Sequence, residues 1–155
     1  MKRVILITVR PARHFPVRPN LDQLKHQAKD LLRSIRSGDP AALAELNTFH
    51  PQHRSEPAQL KLAEAQLVLA RSYGAPSWPR MVQRCKLIDA IWRDDLETVR
   101  DLVTKHPNLI HESAGIQNRN WGPPLSYAAN LGRDRIIKML YDLGARDLEQ
   151  PADVG

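Results

Sequence analysis

Cysteine is nearly missing from this chain: Cys85 stands alone among 155 residues, so no internal disulfide can form and a reducing cytosol is the expected compartment. Glycine is also scarce, with seven residues, and aromatics make up 5%. Sandwiches and barrels use both freely in tight turns and packed faces, so the shortage favours helices. No apolar run approaches the roughly 20 residues of a membrane-spanning helix. Acidic side chains are absent from residues 1–20, which hold Lys2, Arg3, Arg10, Arg13 and Arg18. The net charge of +6 is therefore +5 in that tail and +1 over the remaining chain, and the folded part is nearly neutral. An apolar fraction of 42% at this length suits one domain with a real core.

Catalytic patterns are lacking as well. There is no glycine-rich phosphate loop, no Gly-x-Ser-x-Gly elbow and no Cys-x-x-Cys pair, so neither an enzyme nor a cofactor is expected. His50 and His53 have a metal-like spacing, but they flank Pro51 and no third ligand follows at a recognisable distance. His50 and His106 each precede a proline at a helix end, where a side-chain donor suits unpaired carbonyls. Cys85 lies between Val82 and Ile88 on an apolar face, as a buried structural thiol would. Asp94, Asp95 and Glu97 resemble paired acids, yet acids in a helix's first turn are what the helix dipole favours.

What is present is mostly helical periodicity. Residues 1–19 form a basic, proline-rich extension in which residues 4–9 offer a short apolar run, with no second strand to pair with it. The run is too short for a signal peptide, and the expectation is a loosely packed extension or a strand added to a partner. From Leu21 the apolar residues Leu24, Ala28, Leu31 and Ile35 recur at three and four. Asn20 is the expected cap of that helix and Gly38 its stop, after which Asp39-Pro40 starts another carrying Leu43, Leu46 and Phe49. Residues 60–70 place apolar groups on every side, so that helix is expected to be the most buried and Leu67 among its most sensitive positions. Ser77 should cap a helix whose inward residues are Met81, Val82, Cys85, Ile88 and Trp92.

Two internal matches connect these segments. Ile35, Asp39, Leu43, Leu46, Thr48, His50 and Pro51 correspond to Ile91, Asp95, Val99, Leu102, Thr104, His106 and Pro107 at a constant offset of 56. Leu87, Ala90, Val99 and Leu102 correspond to Leu125, Ala128, Ile137 and Leu140 at an offset of 38. Such self-similarity marks one supersecondary unit used repeatedly.

Residues 121–147 read as helix, tight turn, helix. Pro123-Pro124 opens the first helix, Gly132 ends it, Asp134 is the expected cap of the second, and Gly144 closes it. Pro124-Leu125, Ala128-Ala129, Gly132, the 136–140 run and Gly144-Ala145 resemble an ankyrin repeat. Pro123, Ser126, Arg133 and Arg146 replace that family's usual Thr, His, His and Asp, which implies a turn with fewer side-chain braces. Together with residues 21–33 and 63–80, the pattern is similar to a group of bacterial ankyrin-repeat proteins with a helical amino-terminal segment.

The resemblance implies an all-α helical-hairpin stack, an ankyrin-like solenoid: a helical segment over 20–86 continuous with ankyrin-like repeats over 87–155. It further implies a non-enzymatic protein-binding module in the cytoplasm, with an unknown protein partner. The concave face would carry Trp92, Arg93, Asn130 and Leu131, with Gln117, Arg119 and Trp121 on the finger between repeats. Trp and Arg are the types whose removal most often weakens an interface, while Trp121 packed as structure is an equal reading. The alternative is nucleic-acid binding through Arg71, Arg80, Arg84 and Lys86, with Tyr73 and Trp78 interleaved and the basic tail adding contacts. At the carboxyl end Ile137, Met139, Leu140 and Tyr141 cannot all face inward, and a weak homodimer through this last repeat is expected if they stay uncovered.

Overall fold

The computed structural model describes residues 13–111 and 121–146. Over these residues the chain is all-α, without a strand. Its helices are α1 (Leu21–Arg36), α2 (Pro40–Phe49), α3 (Leu62–Ser72), α4 (Trp78–Trp92), α5 (Leu96–Lys105), α6 (Pro124–Asn130) and α7 (Asp134–Asp142), with 3₁₀ turns at Pro57–Gln59 and Pro107–Ile110. No helix among them is long and apolar enough to cross a membrane. The expected strand at residues 4–9 lies outside the described residues.

Capping side chains set most helix starts. Asn20 Oδ1 accepts the Gln23 N–H at 3.1 Å, Asp39 Oδ2 that of Ala42 at 3.0 Å, and Ser77 Oγ that of Arg80 at 3.3 Å. At α5 the Asp95 carboxylate accepts both the Thr98 N–H, at 3.2 Å, and the Thr98 hydroxyl, at 2.7 Å. The expected cap of α7 is displaced by one residue: Arg133 occupies the cap position and Asp134 is already helical. No side chain caps that helix, because a guanidinium has no acceptor to offer its free N–H groups.

The same turn recurs where the internal matches place it. A left-handed residue stands at Gly38, Asp94 and Gly132, with φ of 80°, 56° and 67°. In each case the next N–H reaches back to the preceding helix: Asp39 to Ser34 O, Asp95 to Ala90 O and Arg133 to Ala128 O, at 2.9–3.0 Å. Asp94 therefore does not belong to a helix's first turn. It is the non-glycine version of a position that needs positive φ, a conformation aspartate tolerates at some cost.

α4 is the element through which the two ends of the chain meet. It packs against α1 and α3 on one side and α5 and α6 on the other, while α5 lies on α7 and α6 on α7. Met81, Cys85, Leu87, Ile88, Ala90 and Ile91 are all buried on it. This corrects the expectation for α3, which buries Ala65, Val68, Leu69 and Ala70 but leaves Ala63 exposed and Leu67 half-buried. The helix is apolar all round, yet α1, α2 and α4 do not close over the Ala63–Leu67 side.

The amino-terminal extension also departs from expectation over its second half. Phe15 is in the core, its ring edge-on to Tyr73 at 5.6 Å, and the Arg13 N–H donates to Ser72 O at 2.9 Å. Arg13 pairs with Glu45 at 2.8 Å, and the Tyr73 hydroxyl donates to Gln27 Oε1 at 2.8 Å. The three prolines do not uncouple this segment, since one aromatic side chain and one backbone bond suffice to dock it.

At the far end, Leu140 and Met139 are buried, Ile137 is half-buried, and Tyr141 and Leu143 remain 52% and 46% exposed. The Arg146 guanidinium lies 3.6 Å from the Tyr141 ring centroid and covers part of it.

Three substitutions test this arrangement. Ile91→Ala, at a fully buried α4 position, should cost about 2–5 kcal/mol, and Leu67→Ala clearly less. Equal losses in denaturant unfolding would mean that α3 rather than α4 is the central helix. Asp94→Gly should stabilise the chain by about 0.5–1 kcal/mol, because glycine adopts the left-handed turn without strain. An unchanged or lower midpoint would contradict the turn assignment.

Candidate partner-binding face

Three aromatic rings gather where α4 ends and α6 begins. Trp92 is the last residue of α4, and Trp121 precedes Gly122, whose φ of 78° turns the chain into Pro123-Pro124 and α6. The two indoles stack at 5.6 Å with planes 19° apart, and Tyr127 meets Trp121 at 5.6 Å and 53°. The Arg18 guanidinium stands 5.1 Å from the Trp92 ring centroid. Both indoles are half-buried. The buried Trp92 Nε1 has no hydrogen-bond partner among the described residues. Burial pushes the Tyr127 phenol far above its ordinary range, with the Trp121 backbone acting the other way.

A line of charge borders the rings. Asp89, one helical turn before Arg93, accepts from Arg93 Nε at 2.8 Å and from Arg18 at 3.5 Å. Arg93 also reaches Asp95 at 3.2 Å. The Arg93 guanidinium is held above its usual pKa, first by its hydrogen bond to Asp89. The Asp95 carboxyl is held below its usual range, first by the two bonds from Thr98 and then by Arg93. A cleft of about 400 Å³ lies beside this line, between Arg18, Asn20 and Leu21 on one wall and Lys86 and Asp89 on the other.

Arg133 joins the α6–α7 turn to the end of α4 at this point. Its guanidinium donates to Ile91 O at 3.2 Å and Trp92 O at 2.6 Å, satisfying carbonyls at the end of α4. Arg133 thus braces the α6–α7 turn against α4, while the starts of α6 and α7 themselves have no side-chain cap. Arg71 treats α2 the same way, donating to Phe49 O at 2.9 Å, and Arg36 donates twice to Leu60 O. Leu131, half-buried at the end of α6, and exposed Asn130, whose amide donates to Ser126 O at 2.8 Å, lie next to this junction. Trp92 and Trp121 therefore meet, with Arg93 next to Trp92 in the chain, while Asn130 and Leu131 stand three and two residues before Arg133; Gln117 and Arg119 lie outside the described residues. Sequence reasoning missed Arg18, Asp89 and Tyr127. Only the Asp89/Arg93 spacing of four carried a signal.

The remaining candidates have structural partners. Cys85 is buried, and desolvation pushes its thiol up to about 12 against the opposing effect of Arg84, so it stays protonated at neutral pH. His53 places its ring nitrogens 3.1 Å from Ser55 O and from Asn47 Oδ1, and His50 Nε2 lies 3.6 Å from Glu64 Oε1. No group of three metal-capable side chains occurs among the described residues. At the ends of α2 and α5 the His50 and His106 backbone N–H groups donate to Leu46 O and Leu102 O, and neither ring bonds a helix-end carbonyl among the described residues. Along the basic stretch, Tyr73 and Arg84 are buried, burial lowers the Arg84 pKa, Arg71 is held on Phe49 O, and Lys86 is exposed, so these groups share no single face.

The Asp95 charge has a definite pH signature. A carboxyl whose folded pKa is depressed contributes stability above its unfolded pKa and loses it as pH falls through the folded value. Asp95→Asn keeps an Asn cap for Thr98 but loses the charge facing Arg93, so the variant should melt below the wild type near neutral pH. The gap should narrow as pH falls below the ordinary carboxylate range and close only below the depressed folded value. A gap independent of pH would show that the charge contributes nothing.

Comparison with known proteins finds no matching family model, no matching curated protein and no matching solved structure.

Proposed function

We propose that this chain is a non-enzymatic protein-binding module, a short ankyrin-like stack whose partner face lies at the ends of α4 and α6. The stacked arrangement is supported by pairing of like elements, with α4 on α6 and α5 on α7. It is supported also by the left-handed turn repeated at Asp94 and Gly132 at the offset of 38, and by the fully buried Ala90 and Ala128, which let backbones approach closely. In such a stack the ends of the first helices and the fingers face the partner, and their side chains are free to vary because they do not hold the repeats together.

The observation that carries the binding reading is the half-exposed Trp92–Trp121 pair beside exposed Arg93 and Asn130. Rigid indoles with a guanidinium alongside lose little entropy on binding and bury much area, which is how a few residues come to dominate an interface. Nucleic-acid binding is the weaker reading, because Tyr73 and Arg84 are withdrawn into the core.

Affinity capture from lysate of the source cells, with wild type and an Arg93→Ala/Asn130→Ala/Leu131→Ala variant, tests the face. Proteins recovered by the wild type should be lost by the variant while its circular dichroism stays unchanged and it remains folded at the temperature of capture, even if it melts somewhat lower through loss of the Arg93 ion pairs. Recovery of the same proteins by both would place the partner elsewhere. Retention on heparin that salt abolishes, together with no captured protein, would favour the nucleic-acid reading.

A further inference from the structure

The outer side of the last two hairpins carries a second surface with a different chemistry. Leu96, Arg100 and Thr104 recur every four residues and share one face of α5. Arg135, Lys138, Met139 and Asp142 recur at three, four and seven and share one face of α7. The two stripes, with Leu143 at the end of α7, line a groove of about 390 Å³. Leu96, Met139 and Leu143 supply its apolar lining.

Most arginines among the described residues have a partner, and those of the groove do not. Arg36, Arg71 and Arg133 are held on helix-end carbonyls, and Arg13, Arg18 and Arg93 on carboxylates. Arg100, Arg135 and Lys138 have no hydrogen bond or ion pair among the described residues, and the only acid in the groove, Asp142, pairs with none of them. Three cations without an ion-pair partner among the described residues thus frame an apolar trough that ends at Leu143, one of two large exposed hydrophobic side chains among those residues.

We propose that this groove binds an acidic, amphipathic helical segment of a protein partner, independently of the face around Trp92. Such a helix lays its apolar stripe along Leu96, Met139 and Leu143, and its flanking carboxylates meet Arg100, Arg135 and Lys138. Charge decides between the occupants. A second copy docked here about a twofold axis would set these cations against their own equivalents, with one aspartate per chain to offset them. A nucleic acid would satisfy the cations but leave the apolar lining without a counterpart.

The probe is a fluorescein-labelled synthetic helix of roughly 14 residues, with leucine spaced at three and four and glutamate elsewhere, titrated by fluorescence anisotropy. It should bind at least about tenfold more tightly than the same peptide with lysine for glutamate, and less tightly as salt rises. Arg135→Glu/Lys138→Glu and, separately, Leu143→Ser should each weaken it by about tenfold with melting temperature unchanged, since all three side chains are exposed. Affinity unchanged in either variant overturns the proposal. So does a DNA duplex that binds with the same Arg135/Lys138 dependence and indifference to Leu143→Ser, which would mark a general polyanion site. A dimer in sedimentation that Leu143→Ser dissociates would give the groove to a second copy and equally overturn it.

Discussion

A pair of ten-residue helices cannot cover its own apolar stripe, and in this chain that constraint is met on α4. The helix is clothed by α1 and α3 on one side and by α5 and α6 on the other, so the amino-terminal helices and the last two hairpins share a single core. Its residue types follow from that position. Ala90 brings a neighbouring backbone close, while Met81, Leu87, Ile88 and Ile91 fill the sides that stay further apart. Cys85 fits the same logic as a small apolar group, and its raised pKa results from that burial.

Arginine does the second part of the assembly. Each hairpin ends in carbonyls without helical partners, and a guanidinium from a later element reaches several of them: Arg71 for α2 and Arg133 for α4. A planar donor with a long stem spans the gap between stacked hairpins and keeps its charge on oxygen. Much of the basic character of the folded part is spent in this way. The candidate binding face is a by-product of the same contact, because the Arg133 bond to Trp92 O holds the α6–α7 turn against the end of α4, where Trp92 meets Trp121.

Local features were legible in the residues. Asn20, Asp39, Ser77 and Asp95 cap where short polar side chains precede apolar periodicity, and the offsets of 56 and 38 marked equivalent turns. What periodicity cannot say is which neighbour covers an apolar face. Leu67 belongs to an apolar helix and is still half-buried, whereas Phe15 lies among prolines and is buried against Tyr73, far along the chain. The Arg133 brace spans 41 residues, and no local spacing announces it. The site was partly legible for the same reason: Trp92 and Trp121 were recognisable as residue types, but their stacking, and the Arg18 and Asp89 contacts beside them, depend on elements that meet only in the fold.

The account rests on α4 as the element shared by both ends of the molecule, and native-state hydrogen exchange addresses that directly. If α4 is common to one cooperative core, the amides of residues 81–91 should be the slowest in the chain, opening only with global unfolding, while those of α1 and α7 exchange through smaller openings. Faster exchange in α4 than in α1 or α7 would show that the two ends are held by something else, and would contradict the account.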